Sequence, residues 1–147
     1  MADFSFVTER LATGAAITGP ADVTALHAAG ITHIIDCRAE FSDAPLLATS
    51  GMAYLWNGTE DDGQPKPPAW FAASLVFALP ALATAGAKVY AHCAAGVNRG
   101  PSTAYAILRA FGLLPAAAEA MIRAARPQVG LAYKADADSA VTALGYD

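Results

Sequence analysis

Cys93 and Arg99 stand six positions apart in the stretch VYAHCAAGVNRGPSTAY, with Gly96 midway and His92 immediately ahead of the cysteine. Residues of these types at this spacing can hold a doubly charged anion and attack it. The stretch reads as a strand, a loop and a helix start. The backbone N–H groups of Ala94, Ala95, Gly96, Val97 and Asn98 would then face one centre, reinforced by the helix dipole. Such a loop takes a phosphate-like dianion and favours the thiolate form of a cysteine set in it. Arg99 can close the ring with a bidentate guanidinium contact to two phosphate oxygens. Gly96 permits the tight curve, at positive φ where required. His92 is expected to bond the loop backbone and tune the sulfur. The competing reading of Cys93 is a small buried hydrophobe, the usual fate of a lone cysteine. The second cysteine is a control, because six residues after Cys37 stands Asp43. His, Gly and Arg at all three offsets around a given Cys arise by chance about once in ten thousand.

The elements around the loop must deliver it to the end of a sheet. Val23, Leu26 and Ala29 share a helical face that Gly30 stops. ITHIID, residues 31–36, reads as a buried β-branched strand, and MAYLWN, residues 52–57, as a second. TEDDGQPKPP is a polar Pro/Gly-rich loop. The uncharged run from Pro67 to Ala87 approaches membrane-spanning length, but alanine, Pro80 and Gly86 favour a helix buried on most sides and interrupted near Pro80. AKVYAHC is a strand leading into the motif. Pro101 suits the first turn of the helix that follows. PAAAEAMIRAAR, stopped by Pro127, and KADADSAVTALG are the last helices. Strands alternating with helices predict a single-domain α/β fold over residues 1–147, a mainly parallel twisted sheet flanked by helices. Open sheets of this kind bind ligands at the carboxyl ends of their strands, where the motif sits.

Composition excludes other classes. With 147 residues, 55% hydrophobic and a net charge of −4, the chain suits a compact domain and carries no basic run for nucleic acid. The opening MADFSFVTER lacks the features of a secretory signal, and two cysteines are too few for a disulfide framework. A cytoplasmic setting without membrane attachment is expected. His27 and His33 lack metal-ligand spacing, and no metal or cofactor is expected, because the arginine and backbone dipoles do the electrostatic work.

The pattern H-C-x-x-G-x-x-R resembles the signature of the cysteine-dependent protein tyrosine and dual-specificity phosphatases. From about Leu11, RLATGAAITGPADVTALHAAGITHIIDCRAEF is similar to the opening of small dual-specificity members, and IRAARPQV to their penultimate helix. The resemblance implies a protein-tyrosine-phosphatase-like fold and hydrolysis through a phosphocysteine. It also implies a general acid, an Asp on a mobile upstream loop. EDDGQP supplies Glu60, Asp61 and Asp62. Asp61 has the family's usual separation from the cysteine, with Asp62 as the neighbour able to take its place. Directly after Arg99 the chain departs from the pattern. The family has Ser or Thr there, whose hydroxyl assists breakdown of the phosphocysteine, and this chain has Gly100-Pro101. Ser102 or Thr103 would have to serve instead, or the second step is slow.

The resemblance further suggests that Asp36 or Arg38 braces the loop; an ordinary surface ion pair is the alternative. Cys37 is either a redox partner of Cys93 or a structural thiol. Tyr54, Trp56 and Trp70 either line the pocket rim or belong to the core. The variable loop positions carry no lysine, which disfavours inositol polyphosphates. Phosphotyrosine fits, alone or with phosphoserine and phosphothreonine, on a protein or a small phosphomonoester. Two alternatives stand beside it: a phosphate-recognition module with little turnover, and a rhodanese- or arsenate-reductase-like thiolate enzyme. R-G-P after the arginine resembles the rhodanese-fold phosphatases.

Overall fold

The computed structural model describes residues 2–147. The chain runs β1 (Phe4–Phe6), β2 (Leu11–Gly14), α1 (Pro20–Ala28), β3 (His33–Arg38), α2 (Ala44–Leu47), β4 (Ala53–Thr59), α3 (Pro68–Leu82), β5 (Val89–His92), α4 (Arg99–Ala110), α5 (Pro115–Ala125) and α6 (Lys134–Ala143). The strands form one sheet in the order β1-β2-β5-β3-β4, in which β1 alone pairs antiparallel. This is the helix-flanked, mainly parallel sheet that the sequence predicts.

The two-residue period of the strands divides the interior. Ile35, Cys37, Val89, Ala91 and Cys93 join a large core with Phe71 and Leu75 of α3, Ile107 of α4, Ile122 of α5 and Ala140 of α6. Ile34 and Tyr90, on the opposite face, join a smaller cluster with Leu26 of α1 and Leu47 of α2. By the same alternation Asp36 and His92 point to the α1/α2 face, and both are wholly buried. Central α4 is buried from Arg99 to Arg109.

Three local readings change. The strand expected at 31–36 begins at His33 and continues through Arg38, with a register shift against β4 between Asp36 and Arg38. β4 likewise runs on to Thr59. This extra length carries Arg38, Glu40 and Glu60 toward the loop after β5. Helix α3 is not interrupted at Pro80 but ends at Leu82, and its burial is one-sided, with Val76 70% exposed. Pro80 lies within the last turn, where its missing N–H removes only one bond near an end. Among the described residues no helix is long and apolar enough to cross a membrane.

Candidate active site

Between β5 and α4 the chain turns its carbonyls outward, one after another. The Cys93 carbonyl meets His92 Nδ1 at 3.2 Å, and that of Ala94 accepts from Ala16 N at 3.0 Å. Arg126 donates through Nη2 to Ala95 O (3.1 Å) and through Nε to Gly96 O (2.8 Å). Val97 O accepts from the N–H groups of Gly130 and Leu131. With each carbonyl held on the outside, the opposite edge of each peptide presents its N–H to the inside. No group among the described residues accepts a hydrogen bond from the N–H of Ala94, Ala95, Gly96, Val97 or Asn98. Five consecutive free donors at a helix N-terminus form an anion-binding nest. Gly96 sits at φ 69°, and a Cβ there would meet Gly14 backbone at 2.5 Å and Arg126 Nη2 at 2.6 Å. Both the curve and the closeness therefore require glycine. Cys93, at the start of this ring, is only 3% exposed.

Arg99 is held end-on. Its Nη1 donates to Glu40 Oε1 (2.7 Å) and to Thr59 O (2.9 Å), and its Nη2 to Glu40 Oε2 (3.1 Å). Its Nε is buried with no partner. A guanidinium has five N–H groups, so the edge formed by Nε and the second Nη2 hydrogen remains open. That edge is the bidentate fork suited to two phosphate oxygens. The Arg99 guanidinium in turn holds the Glu40 carboxyl down at about 2. Ala39, Glu40, Glu60, Asp61 and Arg99 line a cavity of about 390 Å³ at this point.

The acid loop lies beside the ring. Asp61 accepts from Tyr133 Oη at 2.7 Å, and the Asn98 amide stands 3.4 Å and 3.5 Å from its two oxygens. Asp62 instead turns to Lys66 Nζ at 2.9 Å, and that ammonium and the Gln64 N–H hold its carboxyl below the usual range. Of the two neighbours, Asp61 is the one placed against a residue of the ring.

His92 is fixed from behind. Its Nε2 lies 2.5 Å from Asp43 Oδ2. Arg38 bridges Asp43 Oδ1 (2.8 Å) and both oxygens of Asp36 (3.1 and 3.2 Å). Tyr54 donates to Asp36 Oδ2 at 3.0 Å and accepts from Asp43 N at 2.9 Å. Asp36 and Arg38 are thus a buried brace reaching the loop through Asp43 and His92, not a surface pair. Asp36, Asp43 and His92 lie close enough to hold a cation, but Arg38 already spans both carboxylates, so its guanidinium supplies the charge a metal would.

The other singled-out residues sort clearly. Gly100 packs against β5: a Cβ there would meet His92 backbone at 2.9 Å and Ala91 O at 3.0 Å. Ser102 Oγ is wholly buried and accepts from Tyr133 N at 3.3 Å. Thr103 Oγ1 pairs with Cys37 Sγ at 3.4 Å. Burial pushes the Cys37 thiol far up, the opposite of what a resolving thiol needs. Tyr54 belongs to the brace and Trp70 to the core, whereas Trp56 is half exposed with its indole N–H on Arg38 O. His27 is exposed and His33 pairs with Thr32.

Glu40, Asp43, Arg126 and Tyr133 enter the site without having been singled out in the sequence. One signal was present for Asp43. Asp before Ala-Pro is a helix N-cap pattern, yet this side chain makes no cap bond and spends its oxygens on Arg38 and His92.

No family model matches the chain, and no curated protein matches it. Solved structures do. A human tyrosine phosphatase-like serine/threonine/tyrosine-interacting protein superposes at a TM-score of 0.80 with 19% identity over 100% of both chains. PTPMT1 in complex with PI(5)P gives 0.79 with 18% identity, covering 96% of this chain and 98% of its own. Human DUSP28 gives 0.76 with 21% identity over 99% and 97%. Along nearly its whole length, then, the chain has the fold of the tyrosine and dual-specificity phosphatases.

Proposed function

We propose that the chain is a cysteine-dependent phosphatase that hydrolyses phosphomonoesters through a phosphocysteine. Phosphotyrosine is the substrate, alone or with phosphoserine and phosphothreonine, on a protein or a small molecule. The observation that carries this reading is the ring itself: five unpartnered N–H groups and the open Arg99 edge, arranged around Cys93. Cys93 attacks phosphorus as the thiolate. The S–P bond forms as the bond to the leaving oxygen breaks, and Asp61 gives that oxygen its proton. Water then attacks the phosphocysteine and passes a proton to the Asp61 carboxylate. The S–P bond breaks, its electron pair returns to sulfur, and phosphate leaves. The ring donors and Arg99 hold the non-transferring oxygens through both steps.

Apart from Arg99, the side chains lining the mouth are uncharged or acidic. A phosphoinositide, the ligand of one structural neighbour, would bring further negative charge to Glu40, Glu60 and Asp61. Both cysteines are free thiols, the state that a reducing compartment preserves, and a cytoplasmic setting is part of this proposal.

Gly100 favours a second reading, a phosphate-binding module with little turnover, because no hydroxyl follows Arg99 to help the intermediate break down. A rhodanese- or arsenate-reductase-like reaction has less support, since Cys37 is buried with its thiol pushed up. Hydrolysis of p-nitrophenyl phosphate by the wild type, Cys93→Ser and Asp61→Asn separates these. The phosphatase reading expects Cys93→Ser to be inactive, and retained activity would overturn it. A wild type that binds phosphate without turnover would point to the module.

A further inference from the structure

We infer that Tyr133 is a positioning residue for Asp61, latching the acid loop to the start of α6 and fixing which carboxylate oxygen faces the substrate. The inference rests on the phosphatase reading. Tyr133 is 1% exposed, so its ring is a fixed point. Its hydroxyl donates to Asp61 Oδ1 at 2.7 Å and accepts from Gly63 N at 3.0 Å. One phenol thus joins the catalytic carboxylate to the backbone turn two residues later, where Gly63 adopts φ 72°. The ring in turn is seated on α4, because the Tyr133 N–H donates to buried Ser102 Oγ.

A second set of contacts ties the same loop to the same place. Lys66 Nζ lies 4.9 Å from the Tyr133 ring centroid and donates to Glu60 O at 2.6 Å. The Lys66 N–H donates to Asp136 Oδ2 in the first turn of α6. Residues 60–66 are therefore fastened at Glu60, Asp61, Gly63 and Lys66, all to or around Tyr133 and α6.

The chemistry gives the hydroxyl a specific task. An aspartate on an exposed Pro/Gly loop has several rotamers, and a displacement of about 1 Å at a reacting group can cost roughly a hundredfold in rate. The tyrosine O–H makes the one short contact, to Oδ1, and so favours Oδ2 as the oxygen that carries the proton Asp61 delivers; the ring residue Asn98 stands almost equally far from both, at 3.4 Å and 3.5 Å. A phenol donating to Oδ1 suits both states of the acid, since an oxygen without a proton stands there in each.

The test compares Tyr133→Phe with wild type on two substrates. Phenyl phosphate needs a proton on its leaving oxygen, whereas p-nitrophenolate departs readily without one. We expect kcat on phenyl phosphate to fall by about tenfold or more with KM unchanged, and on p-nitrophenyl phosphate by less than about threefold. In an Asp61→Asn background the same change should alter neither rate. Equal losses on both substrates, no loss on either, or a full additional loss on top of Asp61→Asn would overturn the inference. Failure of the phosphatase reading is seen separately, as activity retained by Cys93→Ser. Amide exchange at Gly63 tests the latch without turnover and without altering Tyr133. Asp61→Ala frees the hydroxyl from one partner and should speed Gly63 exchange severalfold, while unchanged exchange would mean that the phenol does not couple them.

Discussion

Asp43 Oδ2 lies 2.5 Å from His92 Nε2, with both side chains wholly buried, and this contact connects the residue ahead of Cys93 to a segment 49 positions earlier. Arg38 binds the far side of the same carboxylate. Removing one member of a buried charged network leaves the others unpaired, at about 3–5 kcal/mol. Asp43→Ala should therefore lower stability by about that amount in urea unfolding and slow alkylation of Cys93. A loss below about 1 kcal/mol would show that the network carries little.

Asp61 and Asp62 should separate cleanly by mutation. Asp61 faces Asn98 and Tyr133, whereas Asp62 is paired with Lys66. Asp61→Asn is expected to reduce kcat on phenyl phosphate by about a hundredfold or more, the scale of general acid catalysis. Asp62→Asn should stay within about threefold. The reverse outcome would move the acid by one residue.

Glu40 gives the acid side of the stability profile a defined sign. Its carboxyl lies near 2 because Arg99 hydrogen-bonds the charged form. A lowered carboxyl contributes stability in full above its ordinary range, and loses it as pH falls from there toward 2. With 45% of the side chain exposed, solvent screening holds the pair to about 1 kcal/mol or less, roughly 2–4 °C in Tm for a chain of this size. Glu40→Gln should lower Tm by that margin at pH 7 and match the wild type near pH 2. Its kcat/KM should also fall, because the Arg99 fork is less firmly oriented.

Gly100 makes a kinetic statement. No hydroxyl follows Arg99 directly, and Thr103 Oγ1 is paired with Cys37 Sγ, so breakdown of the phosphocysteine is expected to be slow. Rapid-mixing assays should show a burst followed by a slower steady rate, with trapped phosphoenzyme; equal rates for the two steps would sink the idea. Gly100→Ser should not repair this. Its Cβ would stand 2.9 Å from the His92 backbone, and such overpacking costs about 1–3 kcal/mol.

What could be read from the sequence was what lies close together along it. Cys93, Gly96 and Arg99 occupy one turn of chain, so their spacing alone specifies a ring. Asp61 was visible as part of a compact acidic loop. The sheet followed from β-branched runs alternating with helical patterns, though three-residue β1 and four-residue α2 are too short to show a period. Glu40 and Asp43 reach the ring from the β3–α2 connection and Arg126 and Tyr133 from the α5–α6 connection, and nothing in their local spacing distinguishes them from surface charges or core aromatics. Arg38 was noticed, but its burial depends on β3 running two residues past the expected end, through a register shift that no residue pattern marks.

The outward hold on the loop is assembled over long distances. Arg126 grips Ala95 and Gly96 while its other side is clasped by Asp3, Nη1 to Oδ1 at 2.9 Å and Nη2 to Oδ2 at 3.0 Å, across 123 positions. Nonlocal contacts of this reach form late when a chain folds, because each must close a large loop first. The carbonyl-outward shape of the loop therefore rests on contacts that an isolated peptide or a half-folded chain lacks. If Cys93 draws its reactivity from that shape, labelling of its sulfur should rise only once Asp3 and Arg126 have met, which would make it a clock for the completion of folding.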